Sequence, residues 1–169
     1  MGAGVGDSPG SVNADEGTWT MGASPFDGEY EPPTQGWVRK QVETYEASGG
    51  TEANTLMDTG LPVIVMTTVG AKSGKVRKAP LMRVENGGEY ALVASKGGTP
   101  ENPGWYHNLV ALPVVRIQDG PAPAEYDVRE LDGGERKEWW DRAVAAFPPY
   151  ADYQEKTERT IPVFLATRR

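Results

Sequence analysis

Two stretches of the chain repeat apolar positions at helical spacing. The first is at 37–46, where charged residues fill the opposite face and Ser48-Gly49-Gly50 marks the end. A second helix is predicted at about 134–147, before Pro148-Pro149. Shorter helical pieces are predicted at 105–110 and 151–157. We interpret the first helix as packed on the core, with a lid over a pocket or a weak membrane contact as the alternatives.

Strand patterns dominate the middle and the end of the chain. Asn86-Gly87 predicts a hairpin turn, because both residues tolerate positive φ. The predicted strands are 61–69, 79–85, 89–95, 114–118, 123–130 and 161–166. The helices fall between them without regular strand–helix alternation, which argues against a Rossmann sheet. The pattern predicts an α+β fold that is mainly β, a small β-barrel with peripheral helices.

The first 35 residues differ in composition from the rest. They are rich in Gly, Pro and Ser, and they hold no Lys or Arg. Their acids are Asp7, Asp15, Glu16, Asp27, Glu29 and Glu31. Such a segment buries too little apolar surface to offset the entropy cost of ordering it. We therefore predict an acidic flexible segment at 1–35 and a folded domain at 36–169, with Trp19, Phe26 and Tyr30 able to dock onto the domain.

Charge and residue usage exclude several classes of function. The chain has a net charge of -7, and a nucleic-acid partner is not expected because phosphate backbones need a broad basic face. Cysteine is absent and His107 is the one histidine in the sequence, so no disulfide framework and no metal site are expected. Neither a signal peptide nor a long apolar span is present, and we expect a cytoplasmic protein.

A local basic stretch stands out against this acidic background. From 71 to 83 the sequence has no acid, and its cations are Lys72, Lys75, Arg77, Lys78 and Arg83. Gly70 and Gly74 bracket a lysine and a serine, so that backbone N–H groups as well as cations are available to an anion. The glycine spacing does not match a Walker A loop. The stretch is either an anion site or a solvated turn with scattered charges.

Two further groups of residues are candidates for binding or catalysis. Ala94-Ser95-Lys96-Gly97-Gly98 ends a strand with a hydroxyl, a cation and two glycines, which let a flat ring approach the backbone closely. Phe147, Tyr150 and Tyr153 surround Pro148-Pro149, where they can converge on one side. Tyrosine offers an apolar plate and a proton donor, although aromatic residues near a helix end often only pack in the core.

Taken as a set, these elements resemble the deazaflavin-dependent nitroreductase family, the F420-binding reductases of actinobacteria with a split β-barrel fold. The resemblance runs from about 61 to 162 and depends on the order of its elements. In sequence they are Thr67-Thr68-Val69-Gly70-Ala71-Lys72-Ser73-Gly74, Arg77-Lys78-Ala79-Pro80-Leu81, Ala94-Ser95-Lys96-Gly97-Gly98, Asn102-Pro103-Gly104-Trp105-Tyr106-His107-Asn108-Leu109, Tyr150-Ala151-Asp152-Tyr153 and Arg159-Thr160-Ile161-Pro162. The domain at 36–169 is then a split-barrel, cofactor-binding reductase domain.

The resemblance implies coenzyme F420 as the cofactor, whose phosphodiester and oligoglutamate tail are anionic. Lys72, Ser73 and Arg77 match the family's contacts to that anionic end. The residues that the resemblance implies for cofactor binding are Ala71, Lys72, Ser73, Arg77, Lys78, Ala79, Pro80, Leu81, Met82, Val93, Ala94, Ser95, Lys96, Gly104, Trp105, Tyr106, His107, Asn108 and Tyr150.

The resemblance also implies the residues around the substrate. Phe147, Tyr153 and Met82 are expected to line the substrate pocket, and Tyr150 and Ser95 are the expected catalytic residues. Some relatives carry a tyrosine at the position of Phe147. Since phenylalanine has no hydroxyl, we expect Tyr150 to be the proton donor and Ser95 to stabilise an oxyanion.

The expected activity is hydride transfer from F420H2 to an electron-poor acceptor: a quinone, an activated alkene or a nitro compound. The alternatives are an FMN-dependent split-barrel reductase or oxidase, a non-catalytic F420 carrier, and an interaction module without a cofactor. We expect a monomer, with a dimer as the alternative, and a weak contact with the inner face of the cell membrane if the acceptor is a quinone.

Overall fold

The computed structural model describes residues 24–169, so that residues 1–23 of the predicted flexible segment, including Trp19, lie outside the described residues. Within 24–169 the chain forms a sheet of seven strands with four α-helices around it. In chain order the elements are α1 (Gly36–Ala47), β1 (Val63–Val69), β2 (Val76–Met82), β3 (Glu85–Asn86), β4 (Glu89–Val93), α2 (Gly104–Ala111), β5 (Val114–Gln118), β6 (Pro123–Glu130), α3 (Gly133–Ala146), α4 (Pro149–Glu155) and β7 (Val163–Arg168).

The sheet is antiparallel and curls strongly. Its strand order is β2-β1-β5-β6-β7-β4-β3, and every neighbouring pair runs antiparallel. Strands β2 and β4 nevertheless contact each other, although four strands separate them in that order. Curling of this kind follows from the right-handed twist of strands and brings the edges of a sheet together. The predicted α+β, mainly β barrel with peripheral helices is confirmed.

Strand β1, the second from one edge of the sheet, is buried on both faces, which explains its nearly continuous apolar sequence. Val63 and Val65 belong to a core shared with α1 and α3, while Ile64 and Met66 belong to a second core that includes Leu109 of α2. Successive side chains of a strand point to opposite faces, so one strand serves both cores. None of the helices in residues 24–169 is long and apolar enough to cross a membrane.

The junction between β1 and β2 differs from the prediction. The two strands pair from Val63↔Met82 to Val69↔Val76. The intervening turn is closed by two hydrogen bonds, in which the Gly70 amide donates to the Lys75 carbonyl at 2.7 Å and the Gly74 amide donates to the Gly70 carbonyl at 2.9 Å.

The predicted strand at 79–85 was therefore placed too late in the chain. Pairing begins as soon as the turn closes, and β2 starts at Val76. Arg77 and Lys78, which the charge pattern had assigned to a basic loop, lie in this strand. The side chains of β2 are half-buried between Val76 and Met82, so neither a continuous apolar run nor a clean alternation marks the strand.

The other predicted elements occur close to their expected places. Strands β5 and β6 have the predicted bounds, and the predicted hairpin is present. The two residues with positive φ are Gly87 and Gly88, one position later than the predicted Asn86-Gly87, because Asn86 pairs with Glu89 in the hairpin. Pro148-Pro149 separates α3 from α4, but α4 begins at Pro149 because proline is tolerated in the first turn of a helix. The last strand begins at Val163 rather than at 161.

Residues 24–35, here named the N-terminal strap, pack along β2 at the edge of the sheet. Phe26 is only 5% exposed, and Tyr30 forms a parallel bridge with Val76. The Val76 amide donates to the carbonyl of Glu29 at 2.7 Å, and the amide of Glu31 donates to the Val76 carbonyl at 2.9 Å. Phe26 and Tyr30 thus dock onto the domain as expected, and they fix the strap beside the basic stretch.

One prediction concerns two neighbouring glycines that both have positive φ. A Cβ on Gly98 would lie 2.6 Å from the carbonyl oxygen of Tyr153 in α4, whereas a Cβ on Gly97 meets nothing within 4 Å. We expect Gly97→Ala to lower the free energy of unfolding by about 1–2 kcal/mol through backbone strain alone. Gly98→Ala should lower it by about 1–3 kcal/mol more, because α4 must move. Urea unfolding of both variants measures the difference, and equal losses would contradict this packing.

Candidate active site

Two cavities lie along β2 and share Trp105 as a wall. The loop cavity, of about 540 Å³, lies beside the turn between β1 and β2 and the start of α2. The aromatic cavity, of about 530 Å³, lies between α1, the segment after β4 and the start of α4. Strand β2 passes from one to the other, with Ala79 in the first and Pro80 in the second. The two cavities are therefore adjacent parts of one cleft.

Most residues implied by the resemblance line this cleft. Those around the loop cavity are Ala71, Lys72, Ser73, Arg77, Lys78, Ala79, Gly104, Trp105, His107 and Asn108. Those around the aromatic cavity are Pro80, Leu81, Met82, Val93, Ser95, Lys96, Trp105, Phe147, Tyr150 and Tyr153. Ala94 and Tyr106 line neither cavity, because Ala94 is fully buried and the ring of Tyr106 packs against Phe164. The roles of all these residues stay predictions.

Asn108 holds the turn of the loop cavity in place. Its Nδ2 donates to Thr68 Oγ1 at 3.0 Å, and its Oδ1 accepts from the amide of Ala71 at 2.8 Å. One side chain on α2 thus links the end of β1 to the turn that follows it. A buried strand and a helix thereby position a turn that is otherwise exposed.

Within the turn, the amides of Lys72 and Ser73 have no hydrogen-bond partner among the residues that the structure describes. Ser73 Oγ accepts from the Lys75 amide at 3.1 Å, which shapes the turn. A Cβ on Gly70 would lie 2.7 Å from that Oγ and 3.2 Å from the Lys75 carbonyl oxygen, so a larger residue there would require Ser73 to shift. Two free amides beside the Lys72 side chain form a donor set suited to a phosphate or a carboxylate.

The basic stretch is less positive than its sequence indicates, because acids from elsewhere in the chain pair with it. Across residues 24–169, Lys72 is the one cation of the stretch that forms no ion pair. The pairs are Lys75–Glu29 at 3.7 Å, Arg77–Glu31 at 3.5 Å, Lys78–Glu46 at 2.6 Å and Arg83–Asp119 at 2.8 Å. Two of these acids come from the N-terminal strap.

Three aromatic rings converge at one side of the aromatic cavity. The ring centroids of Phe147 and Tyr150 are 5.0 Å apart, and Tyr153 lies 6.1 Å from the first and 6.2 Å from the second. Burial, with a smaller contribution from Tyr153, raises the pKa of the Tyr150 phenol well above its ordinary value. Its hydroxyl therefore stays protonated at neutral pH. It makes no hydrogen bond to another residue in the described part of the chain, so it is available to a ligand.

Arg159 fixes the other side of this cavity, a role that the residue pattern does not reveal. Its guanidinium donates to the carbonyls of Thr99, Ala94 and Ser95 at 2.9, 3.2 and 2.8 Å, and to Asn102 Oδ1 at 2.7 Å. These bonds hold the segment that carries Ser95 against the connection between α4 and β7. The sequence signal was the position of Arg159 in the closing element of the resemblance, which indicated the residue but not its role.

The site residues implied by the resemblance leave out several lining residues from the first half of the chain. Glu31 and Thr68 line the loop cavity, and Trp37, Gln41 and Leu56 line the aromatic cavity. Gln41 Nε2 donates to the carbonyls of Ala53 and Thr55, which ties α1 to the segment before β1. Residues of α1 thus form part of the wall of the aromatic cavity, which is the position that the alternative of a lid at 37–46 requires.

Comparison with known proteins agrees with this geometry. A family model for F420H2-dependent quinone reductases matches residues 37–168. The chain belongs to this family. An F420H2-dependent quinone reductase of Mycobacterium tuberculosis is 39% identical over 111 residues, which cover 64% of this chain and 74% of the relative. The predictions of an F420H2-dependent reductase, and of F420 as its cofactor, are therefore confirmed at the level of the family.

Solved structures of similar proteins support the same assignment. The F420H2-dependent reductase FDR-A of Mycobacterium smegmatis is 57% identical and has a TM-score of 0.60, covering 62% of this chain and 93% of its own. A second structure, described as a domain-swapped dimer, is 52% identical with a TM-score of 0.62 and covers 77% of this chain and 96% of its own. A heme-binding protein of Mycobacterium smegmatis, 14% identical with a TM-score of 0.52, shares the fold alone. The described residues contain no cluster of His, Cys, Asp and Glu that could hold a metal ion.

For this member of the quinone reductase family we expect Asn108 to act through the turn that it holds. Asn108→Ala removes both hydrogen bonds and should weaken F420 binding by about 3- to 10-fold, which corresponds to roughly 0.5–1.5 kcal/mol. Hydrogen exchange at the Ala71 amide should become faster in the same variant. Val110→Ala, at an exposed position of the same helix, is the control. Unchanged exchange at Ala71 would show that Asn108 does not order the turn.

Proposed function

We propose that this chain reduces a quinone with F420H2 as the electron donor, and that the cleft formed by the two cavities holds both reactants, with the anionic end of F420 in the loop cavity and the acceptor beside the aromatic rings. The observation that carries the proposal is the shared wall of the two cavities at Trp105 and β2. One cavity has cations and free amides, and the other has aromatic rings and uncommitted hydroxyls. Relatives of this chain are named as quinone reductases, and a quinone is a flat, electron-poor ring suited to an aromatic pocket. Activated alkenes and nitro compounds remain the other candidate acceptors.

The residues of the loop cavity fit the anionic end of F420. Lys72 supplies a charge, and the amides of Lys72 and Ser73 supply neutral donors without any change in the turn. Ala79 to Met82 would lie along the ring, with Val93, Ser95 and Lys96 across the cleft. When bound, the reduced deazaflavin supplies a two-electron hydride, which is chemistry that no side chain offers.

The residues of the aromatic cavity perform the other tasks. Phe147 and Tyr153 orient a flat acceptor and exclude water from it. Hydride addition leaves negative charge on an acceptor oxygen, and that oxygen then needs a proton. The Tyr150 hydroxyl is protonated at neutral pH and has no other partner among residues 24–169, so it can hydrogen-bond to that oxygen and transfer its proton, which water then restores. Because burial raises the pKa of Tyr150, this transfer is favourable only toward a strongly basic oxygen. Ser95 Oγ, which makes no other hydrogen bond in that same range, can donate to the oxyanion.

The alternatives make different demands on the site. A non-catalytic F420 carrier needs room for the cofactor alone, whereas the cleft also includes an aromatic cavity of about 530 Å³ with Phe147, Tyr150 and Tyr153 on its wall. An FMN enzyme would bind a single terminal phosphate and no oligoglutamate tail. An interaction module without a cofactor would not account for the match of residues 37–168 to a family of F420H2-dependent reductases. F420-dependent catalysis therefore uses more of the observed structure than any of these.

Assembly and location stay predictions. We retain the monomer as the expected state, with the dimer as the alternative because one similar protein is described as a domain-swapped dimer. The cytoplasmic location and a weak contact with the membrane are likewise expectations from the sequence.

The cofactor site is tested by titration of the purified chain with F420 and, in parallel, with FMN. We expect F420 to bind in preference to FMN. Lys72→Ala should weaken F420 binding by about 5- to 10-fold, with a larger effect for longer glutamate tails, because one exposed charge-assisted contact is lost. Lys75→Ala is the matched control, since Lys75 lies in the same turn, does not line the cavity and pairs with Glu29. Equal effects of the two variants would contradict this placement of the anionic end.

The catalytic role of Tyr150 is tested by following F420H2 oxidation in the presence of a quinone. Tyr150→Phe keeps the ring and removes the proton, so we expect kcat to fall by about 100-fold, the low end for a general acid, while the Kd for F420 changes little. Tyr153→Phe should cause a smaller loss. An unchanged kcat in the Tyr150→Phe variant would show that Tyr150 is not the proton donor. If the unaltered protein binds F420H2 but does not oxidise it in the presence of a quinone, the proposed enzymatic activity is refuted.

A further inference from the structure

The N-terminal strap places a carboxylate inside the wall of the loop cavity. Glu31 lines that cavity together with Arg77 and Lys72. Its Oε1 lies 3.5 Å from Arg77 Nη1, and the two side chains are 44% and 40% exposed. A cavity that is expected to bind an anion therefore has an acid of its own in contact with one of its cations.

Backbone hydrogen bonds hold the main chain of Glu31 beside Arg77. The amide of Glu31 donates to the carbonyl of Val76, which is adjacent to Arg77 in β2, and Val76 in turn donates to Glu29. Phe26 is buried, with the Arg116 guanidinium 5.3 Å from its ring centroid, and it anchors the strap further along. Glu31 consequently cannot leave Arg77 by movement of the strap alone, although its side chain can rotate away.

The pairing shows what kind of group the Arg77 position accepts. A guanidinium and a carboxylate form charge-assisted hydrogen bonds, and the side chain of Glu31 is the same chemical group as each carboxylate of an oligoglutamate tail. An ion pair that is this exposed contributes little to the stability of the fold. It can therefore exchange for a ligand carboxylate at small cost to the protein, while the displaced Glu31 stays nearby and repels further negative charge.

We propose that Glu31 is a specificity-determining residue that competes with the anionic end of the cofactor for Arg77 and limits the gain in affinity from each added glutamate. This inference rests on the proposed function, which places that anionic end at the loop cavity. Lys72 supplies the attraction that does not depend on Glu31, because it has no ion pair in the described part of the chain. Arg77 attracts a ligand carboxylate only after the Glu31 side chain has moved away from it.

Glu29 offers a matched comparison. It lies two residues earlier in the same strap, carries the same charge and pairs with Lys75 at 3.7 Å, but neither partner lines the cavity. Glu29→Gln and Glu31→Gln therefore change the net charge equally. Any difference between them reports the local position of the carboxylate rather than the overall field of the protein.

The experiment is a fluorescence titration of the full chain, as unaltered protein and as each variant, with F420 bearing a short or a long glutamate tail. We expect Glu31→Gln to tighten binding of the long-tailed form by about 3- to 10-fold and that of the short-tailed form less, with Glu29→Gln close to the unaltered protein. The difference between the variants should shrink at high ionic strength, since the side chains are exposed to screening.

Two results would overturn the inference while the proposed function stands. Equal affinities of Glu31→Gln and Glu29→Gln for the long-tailed form would show that Glu31 does not compete for Arg77. Weaker binding by Glu31→Gln would show that Glu31 instead holds Arg77 in a binding orientation. A thermal unfolding curve checks that each variant is folded. Failure of the unaltered protein to bind either form would be a different outcome, because it would refute the proposed function itself.

Discussion

The pairing of β1 with β2 through a closed six-residue turn is the constraint on which the site depends. Because the register runs from Val69↔Val76 to Val63↔Met82, the turn lies at one end of the pair and the apolar half of β2 at the other. The first becomes a wall of the loop cavity and the second a wall of the aromatic cavity. A shift of one residue would exchange the faces of β2, so that the cations and the apolar residues would no longer line one cleft.

The remaining parts of the cleft come from distant segments that are held by single polar side chains. Asn108 fixes the turn from α2, Arg159 fixes the segment of Ser95 from the connection between α4 and β7, and Gln41 joins α1 to the residues before β1. Asn108 and Gln41 lie in helices, whereas Arg159 lies in the segment between α4 and β7, and in each case the side chain binds backbone groups of a loop. This division suits a reductase, in which rigid elements must hold exposed loops in a defined geometry around two reactants.

The sequence predicted the elements whose patterns are determined locally. Strands β5 and β6 have the expected bounds, and the paired prolines separate α3 from α4, because apolar alternation and proline act over a few residues. The predicted start of β2 was wrong. This edge strand has half-buried side chains, so its sequence shows neither a continuous apolar run nor a regular alternation of apolar and polar residues. The resemblance indicated most of the lining residues. It did not indicate the contacts of Glu31 with Arg77, 46 residues away, or of Arg159 with Ser95, 64 residues away, because such contacts form only in the folded chain.

The electrostatic character of the site shows why such contacts matter. Read alone, the stretch from 71 to 83 has cations and no acid, which favours strong attraction for any anion. In the folded chain most of those cations are paired, and the acids include Glu29 and Glu31 from a segment that the composition marked as flexible. Attraction then depends on one lysine, two backbone amides and an arginine that an internal carboxylate already contacts. We therefore expect a ligand with several negative groups to engage Lys72 and also compete for Arg77, while Glu31 limits how much the second contact adds to its affinity.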